Sequence, residues 1–158
     1  MSISRKLMTV GGGDPTYVED VFSTYLYSGT GVSQDIVNGI DLDDKGGLVW
    51  IKCRTQPISN ILVDTERGQA EFLQSNAISP EVNDATGILT SFNDDGYSLG
   101  GGSEVNGLNR TYASWTFAKQ KGFFDVVTIS PVNQGGGTQT FSHNLGVKPG
   151  MMLVKQTD

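Results

Sequence analysis

Two carboxylates lie close enough in the sequence to act as a catalytic pair. Asp64 and Glu66 are two residues apart, so on an extended strand both side chains project from the same face, with Cβ atoms about 6–7 Å apart. That separation suits the acid and the second carboxylate of an enzyme that cleaves a sugar chain. Arg67 follows at once, however, and an ion pair at the end of a strand explains the same residues more simply.

The only histidine, His143, is the second candidate for a catalytic residue. A Ser-His-Asp triad would have to be built around His143. Its neighbours Asn144 and Gly146 are typical of a turn, and we interpret His143 as a hydrogen-bonded turn residue. We therefore expect no catalytic residue and no enzymatic activity.

Residues 41–46 begin like a calcium-binding loop, with carboxylates at the first and third places and glycine at the sixth. Lys45 and Lys52 occupy the fifth and twelfth places, where calcium needs oxygen ligands. An acidic turn between strands is the preferred interpretation, so no metal and no cofactor is expected. The glycine runs 11–13, 100–102 and 135–137 lack the Lys-Ser/Thr of a phosphate-binding loop and are interpreted as flexible turns.

Charge and hydropathy exclude two classes of partner. The 158 residues carry 11 Lys and Arg against 17 Asp and Glu, a net charge of −6, which provides no overall attraction to a phosphate backbone. The apolar runs are too short to cross a bilayer. We expect neither nucleic-acid binding nor membrane insertion. Cys53 is the single cysteine, so the fold depends on no intramolecular disulfide.

From residue 21 onward, short apolar blocks alternate with Gly, Asn, Asp and Ser, which is typical of strands joined by turns. This predicts an all-β fold, an antiparallel β-sandwich of lectin-like or jelly-roll-like arrangement. Alternation over residues 111–117 predicts that Ala113, Trp115 and Phe117 face the core. Residues 93–96 predict a tight hairpin turn, and residues 68–75 a single helical turn. The predicted strands are 21–27, 33–37, 48–53, 60–64, 88–92, 97–99, 111–117, 123–129, 138–141 and 151–155.

The same order of apolar and turn-forming blocks occurs twice in the sequence. Residues 33–40 parallel residues 138–145, and residues 47–52 parallel residues 150–155, at a spacing of roughly 102 to 105 residues. We therefore divide the chain into an extended N-terminal arm (1–19), a β-sandwich repeat unit (20–122) and the start of a second, incomplete unit (123–158). Chance similarity between short β blocks is the alternative explanation.

Five blocks in this order resemble a repeat unit of tailed-bacteriophage virion proteins of the tail-fibre and head-fibre type. The resemblance implies a virion structural protein, assembled in the host cytoplasm, that forms a homotrimer and supports host adsorption. It implies no catalytic residue, and any binding of a host surface glycan would involve a part outside this chain. The blocks are residues 47–52, 62–68, 89–100, 112–117 and 142–152.

In such proteins a short arm docks on the particle, and the basic and apolar start of this chain would take that role. The expected partner is another virion protein, such as a tail adaptor, a nozzle or a portal-proximal protein. Three alternatives stay open: a head fibre or capsid decoration protein, a host-surface carbohydrate-binding module, and a polysaccharide depolymerase. The predicted anchoring residues are Ile3, Arg5, Lys6, Leu7, Met8 and Val10.

Overall fold

The computed structural model describes residues 16–130 and 137–158. Within these ranges nine strands form two antiparallel sheets that pack face to face, which confirms the predicted all-β sandwich. A 3₁₀ turn (Val18–Asp20) precedes the first strand, and one short helix, α1 (Ser103–Asn106), precedes the last. The strands are β1 (Phe22–Ser28), β2 (Gln34–Val37), β3 (Gly47–Cys53), β4 (Ile61–Asp64), β5 (Glu71–Gln74), β6 (Val82–Asn83), β7 (Leu89–Asn93), β8 (Gly96–Leu99) and β9 (Thr111–Ala118).

The larger sheet has six strands in the order β1-β9-β3-β4-β5-β6, and the smaller has three in the order β2-β8-β7. The first and last long strands of the sandwich, β1 and β9, are paired along their full lengths from Phe22–Phe117 to Ser28–Thr111. The two strands at the centre of the large sheet, β9 and β3, pair over seven residues. The sheet therefore depends mainly on contacts between residues far apart in the sequence.

The core lies between the two sheets and is made of aliphatic and tyrosine side chains. Burial alternates along strand β3, because Val49, Ile51 and Cys53 are buried while Leu48, Trp50 and Lys52 between them are not fully buried. The largest side chains below 2% exposure are Tyr97, Tyr112, Ile40, Leu42, Ile51, Ile61, Ile88, Leu89, Leu99, Val21, Val49 and Val63.

The predicted inward face of β9 is wrong. Tyr112, Ser114 and Thr116 point into the core and are completely buried, whereas Trp115 and Phe117 lie half-buried on the outer face of the large sheet. Register explains the inversion, because Trp115 lies directly opposite Trp50, whose neighbours Val49 and Ile51 occupy the core face of β3.

A hydroxyl is acceptable in this core because it has a partner. Asn38, at the end of β2, donates from Nδ2 to Thr116 Oγ1 at 2.8 Å. This hydrogen bond joins the small sheet to the large one and satisfies a buried polar group. The alternating sequence of β9 is thus compatible with either face inward, and the cross-sheet hydrogen bond favours the polar one.

Seven of the ten predicted strands are confirmed, as is the hairpin turn between β7 and β8. The helical turn predicted at 68–75 is wrong: β5 occupies that segment, because pairing with β4 and β6 outweighs the weak preference of a segment too short to be a stable helix. Strands predicted at 123–129, 138–141 and 151–155 are also wrong. The described residues there make one isolated bridge, Gln120–Phe124, and no ladder.

A buried amide holds together the loops at one end of the sandwich. Asn106 donates to the carbonyls of Val32 and Gly100 and accepts from the backbone N–H of Thr30, so its hydrogen-bonding groups are all paired. At Gly100 a Cβ would collide with the carbonyl oxygen of Thr86. The interpretation of glycines 100–102 as a flexible turn is therefore wrong, because these loops are closely packed.

Burial also affects the tyrosines of the core. Removal from water raises the pKa of Tyr27 and of Tyr97 far above the ordinary phenol value, because the charged phenolate has no solvent around it. Tyr27 remains a donor, since its Oη bonds the carbonyl of Val105 at 2.7 Å.

Stability should therefore fall as the pH rises above about 10. There the unfolded chain loses phenolic protons that the native chain keeps, which costs about 1.4 kcal/mol per pH unit for each such tyrosine. Urea unfolding between neutral and alkaline pH measures this slope. Tyr97→Phe should reduce the slope by one tyrosine's share, and an unchanged slope in this variant would contradict the burial of the phenol.

The inverted face of β9 leads to a second expectation. Trp115→Ala should lower the free energy of unfolding by only about 1–2 kcal/mol, because a half-buried side chain loses less than a buried one, whereas Ile51→Ala should cost about 2–5 kcal/mol. Denaturant unfolding of both variants measures the difference. A loss of about 3–5 kcal/mol for Trp115→Ala would place this side chain in a closed core instead.

Candidate functional site

The predicted anchoring residues Ile3, Arg5, Lys6, Leu7, Met8 and Val10 lie outside the described residues. The structure does describe the segment that joins the predicted arm to the sandwich. There the N–H of Tyr17 bonds the carboxylate of Asp20 at 2.9 Å, and Lys45 Nζ donates to the carbonyl of Asp20 at 3.4 Å. Val21, the next residue, is completely buried. The base of the arm is therefore fixed to the sandwich.

Asp64 and Glu66, the candidate catalytic pair, bond different cations. Asp64 is 4% exposed and accepts from Arg67 Nε at 2.7 Å, and the same guanidinium reaches Glu81 at 2.6 Å. Glu66 instead pairs with Lys119 of the β9 end. Each carboxylate thus belongs to its own ion pair. The predicted ion pair at the end of β4 is confirmed, and the structure does not bring Asp64 and Glu66 together around a shared site.

The calcium-like loop is a packed turn. Asp41 Oδ1 accepts the N–H of Asp44 at 3.0 Å, and Leu42 inserts into the core with 1% exposure. The N–H groups of Leu42 and Asp43 both bond the carbonyl of Asn93. In the part of the chain that the structure describes, no three His, Cys, Asp or Glu residues are grouped as a metal site would require.

His143 lies in an exposed turn, where its Nδ1 accepts the N–H of Leu145 at 3.3 Å. The predicted turn histidine is confirmed. Residues 96–100 also show the Gly-x-Ser-x-Gly spacing of a nucleophile elbow, which requires a sharp strand-to-helix turn. Ser98 instead lies inside β8 and donates to Asp35 at 2.7 Å while accepting from Asn93 at 3.0 Å. Its hydroxyl is thus a structural hydrogen-bonding group.

The large sheet carries an aromatic surface on the side away from the core. Phe22 and Phe117 lie 4.9 Å apart between ring centroids, Phe117 stacks on Phe124 at 5.2 Å, and Trp50 meets Trp115 at 5.7 Å. We call these five residues the outer aromatic face. Their side chains are half-buried, so the surface is neither a closed core nor an ordinary solvated one.

Residues after β9 cover one border of this face. The N–H of Gly122 bonds the carbonyl of Leu145, and the N–H of Asn144 bonds the carboxylate of Asp125 at 2.6 Å. Residues 142–146 thus fold back onto 120–125 and leave a shallow polar groove lined by Lys119, Lys121, Asp125 and Asn144 beside Phe124. Amides, charged groups and an aromatic ring in one groove are chemically able to contact a sugar.

Four consecutive apolar side chains near the end of the chain face solvent. Residues 151–154, which we call the C-terminal apolar run, are between 72% and 81% exposed. The following residues are held to the sandwich just before β6, because Lys155 Nζ donates to the carbonyl of Ser79 at 3.2 Å and the N–H of Glu81 bonds the carbonyl of Thr157 at 2.8 Å. A solvated run of this kind is unusual and indicates a contact surface.

Sequence reasoning missed both apolar surfaces and placed Trp115 on the wrong face of β9. The signal was available in β3, whose residues 47–53 are apolar at nearly every position instead of alternating, as is typical of a strand covered on both faces. The roles of Asn38 and Asn106 had no such signal, since each depends on groups more than 70 residues away.

Among the described residues, no helix has the length and hydropathy needed to span a bilayer. A family model described as "Domain of unknown function (DUF7483)" matches residues 18–158. No curated protein and no solved structure matches the chain.

The ion pairs of Asp64 and of Glu66 should contribute very different amounts to the free energy of unfolding. Arg67→Met leaves the buried carboxylate of Asp64 without its cation and should cost about 3–5 kcal/mol of unfolding free energy. Lys119→Met removes a partly exposed pair and should cost less than about 1 kcal/mol. Urea unfolding measures both, and equal losses in the two variants would contradict the buried network.

Proposed function

This chain belongs to the DUF7483 family, a domain of unknown function, and we propose that it is a structural protein of a tailed-bacteriophage virion. Its most specific role would be the N-terminal anchoring part of a tail fibre, which attaches the fibre to the tail and supports host adsorption. The observation that carries the proposal is apolar surface outside the core, on the outer aromatic face and the C-terminal apolar run. Such surface is typical of a subunit that assembles with others.

The chemistry of the candidate groups supports an assembly role. Asp64 and Glu66 are engaged in ion pairs, and Ser98 donates to Asp35 inside β8, so these candidate groups already serve structural contacts. A protein that acts by shape and attachment needs no free catalytic group. The five sequence blocks, in an order that resembles phage virion repeats, support a phage virion as the assembly to which the protein belongs.

The attachment would be made by the arm. Residues 1–17 precede the family match, and the residues that follow are held to the sandwich by Asp20 and Val21. Docking of Ile3, Leu7, Met8 and Val10 into a partner's surface would offset the cost of ordering the arm. Arg5 and Lys6 would attract an acidic neighbour such as a tail adaptor, nozzle or portal-proximal protein.

A homotrimer is part of the proposal. Three copies around a common axis would cover apolar surface and protect the open strand edges from uncontrolled pairing. The same arm on a capsid would make the chain a head fibre or decoration protein, and this alternative differs only in the docking partner.

A second candidate function is binding of a host-surface carbohydrate. The specific observation in its favour is the shallow groove beside Phe124, which combines Lys119, Lys121, Asp125 and Asn144. Glycan-array binding by residues 20–158 that disappears in an Asp125→Ala variant would favour this role over attachment.

Deletion of residues 2–13 should abolish incorporation into particles and leave the thermal unfolding midpoint almost unchanged, because the buried core residues of the described sandwich begin at Val21. Quantitative mass spectrometry of purified particles measures incorporation, and calorimetry measures the midpoint. As matched variants, Ile3, Leu7 and Val10 changed to Asp should prevent incorporation, while Ser2, Ser4 and Thr9 changed to Asp should reduce it less. Normal incorporation of the deleted chain would refute the anchoring role.

A further inference from the structure

The C-terminal apolar run has the sequence of a strand but no strand partner. Residues 150–155 parallel residues 47–52, which form most of β3 at the centre of the large sheet. In β3 these positions pair on both sides, with β4 and with β9. In the run, Met151, Met152, Leu153 and Val154 have no ladder among the described residues and are mostly exposed. Within the described residues of one chain, this segment therefore gains no stability from strand pairing.

A suitable acceptor lies at the far edge of the same sheet. Strand β1 pairs with β9 on one side, and its other side has no ladder with any described residue. It is seven residues long, and Tyr25 and Leu26 in its middle are 37% and 60% exposed. An open edge of this length with apolar side chains is a template for another strand.

The run and this edge lie on opposite sides of one copy. The residues that follow the run are attached to Ser79 and Glu81, next to β6, and β6 and β1 are the two outer strands of the six-stranded sheet. Strand spacing places these edges about 24 Å apart. A run held beside β6 is therefore positioned to meet the β1 edge of a different molecule.

Opposite charges lie near the run and near the acceptor strand. Glu19 and Asp20 are exposed at the start of β1. Lys148, before the run, is exposed as well. The chain as a whole is acidic, with a net charge of −6, so a basic residue at the end of an apolar run complements the surface of a second copy.

We propose that residues 151–154 of one copy add as a strand to β1 of a second copy, joining the large sheets of the two molecules. The contact is head-to-tail, because run and acceptor are different surfaces, and such contacts close into a ring or continue as a filament. A ring of three would be the homotrimer of the proposed function. The inference rests on that function for the role of the assembly but not for the contact itself.

The test uses the purified full chain at micromolar concentration and light scattering after gel filtration. The wild-type mass should be a multiple of 16.9 kDa, and Leu153→Asp or Leu26→Asp should reduce it to that of one chain with an unchanged unfolding midpoint. The matched control is Val37→Asp, at a 56% exposed position in β2 of the small sheet, which should stay assembled. A wild-type monomer, or an assembly that survives both variants, would overturn the proposal.

Cysteine cross-linking separates exchange between copies from closure within one copy. Met152→Cys and Tyr25→Cys are made in differently tagged chains, while the native Cys53 is 1% exposed and protected. Mild oxidation should give a mixed disulfide only when both chains are mixed. A chain carrying both cysteines that closes on itself as a monomer would overturn the proposal.

Failure of this contact is distinguishable from failure of the proposed function. A wild-type chain that is monomeric when purified but is incorporated into particles would refute the interface and leave virion attachment standing. An assembled chain that is absent from particles would support the interface and refute the virion role.

Discussion

Strands β3 and β9 lie side by side at the centre of the large sheet and carry large apolar side chains on both faces. On one face Val49 and Ile51 meet the core, and on the other Trp50 meets Trp115. Apolar side chains on each face of a sheet contribute more to stability when that face is covered. The small sheet covers one face, while the outer aromatic face is covered only at its border by residues after β9. The arrangement leaves surface to be covered by contacts beyond the single sandwich.

The polar groups of the sandwich fix which face is inside. Thr116 is buried without penalty because Asn38 bonds it across the sheets, and Asn106 pairs three backbone groups of the loops at one end. At the edge of the sheet, Arg67 neutralises buried Asp64 and holds the segment that contains Glu81. These hydrogen bonds and ion pairs hold the elements of the sandwich in place. They also engage Asp64, which the sequence offered as a catalytic candidate.

Two segments with no ladder to another described residue on at least one side lie toward opposite edges of the large sheet. One is the open side of β1 and the other is the run that follows residue 150, which is fastened next to β6. This polarity is compatible with the proposed assembly, because a molecule with a strand donor at one edge and an acceptor at the other can repeat. Under the proposed function, the arm would add a separate attachment.

The sequence by itself determined the all-β class, seven strand positions, the hairpin at residues 93–96 and the ion pair of Asp64, because these depend on local alternation, turn residues and neighbours in the chain. Only the tertiary structure decided which face of β9 is buried, since Trp115 and Thr116 alternate regularly and cross-strand register with β3 chooses between them. It likewise decided that residues 71–74 are a strand and that residues 151–154 are not. A strand exists only where a partner lies beside it, and no local pattern supplies that partner.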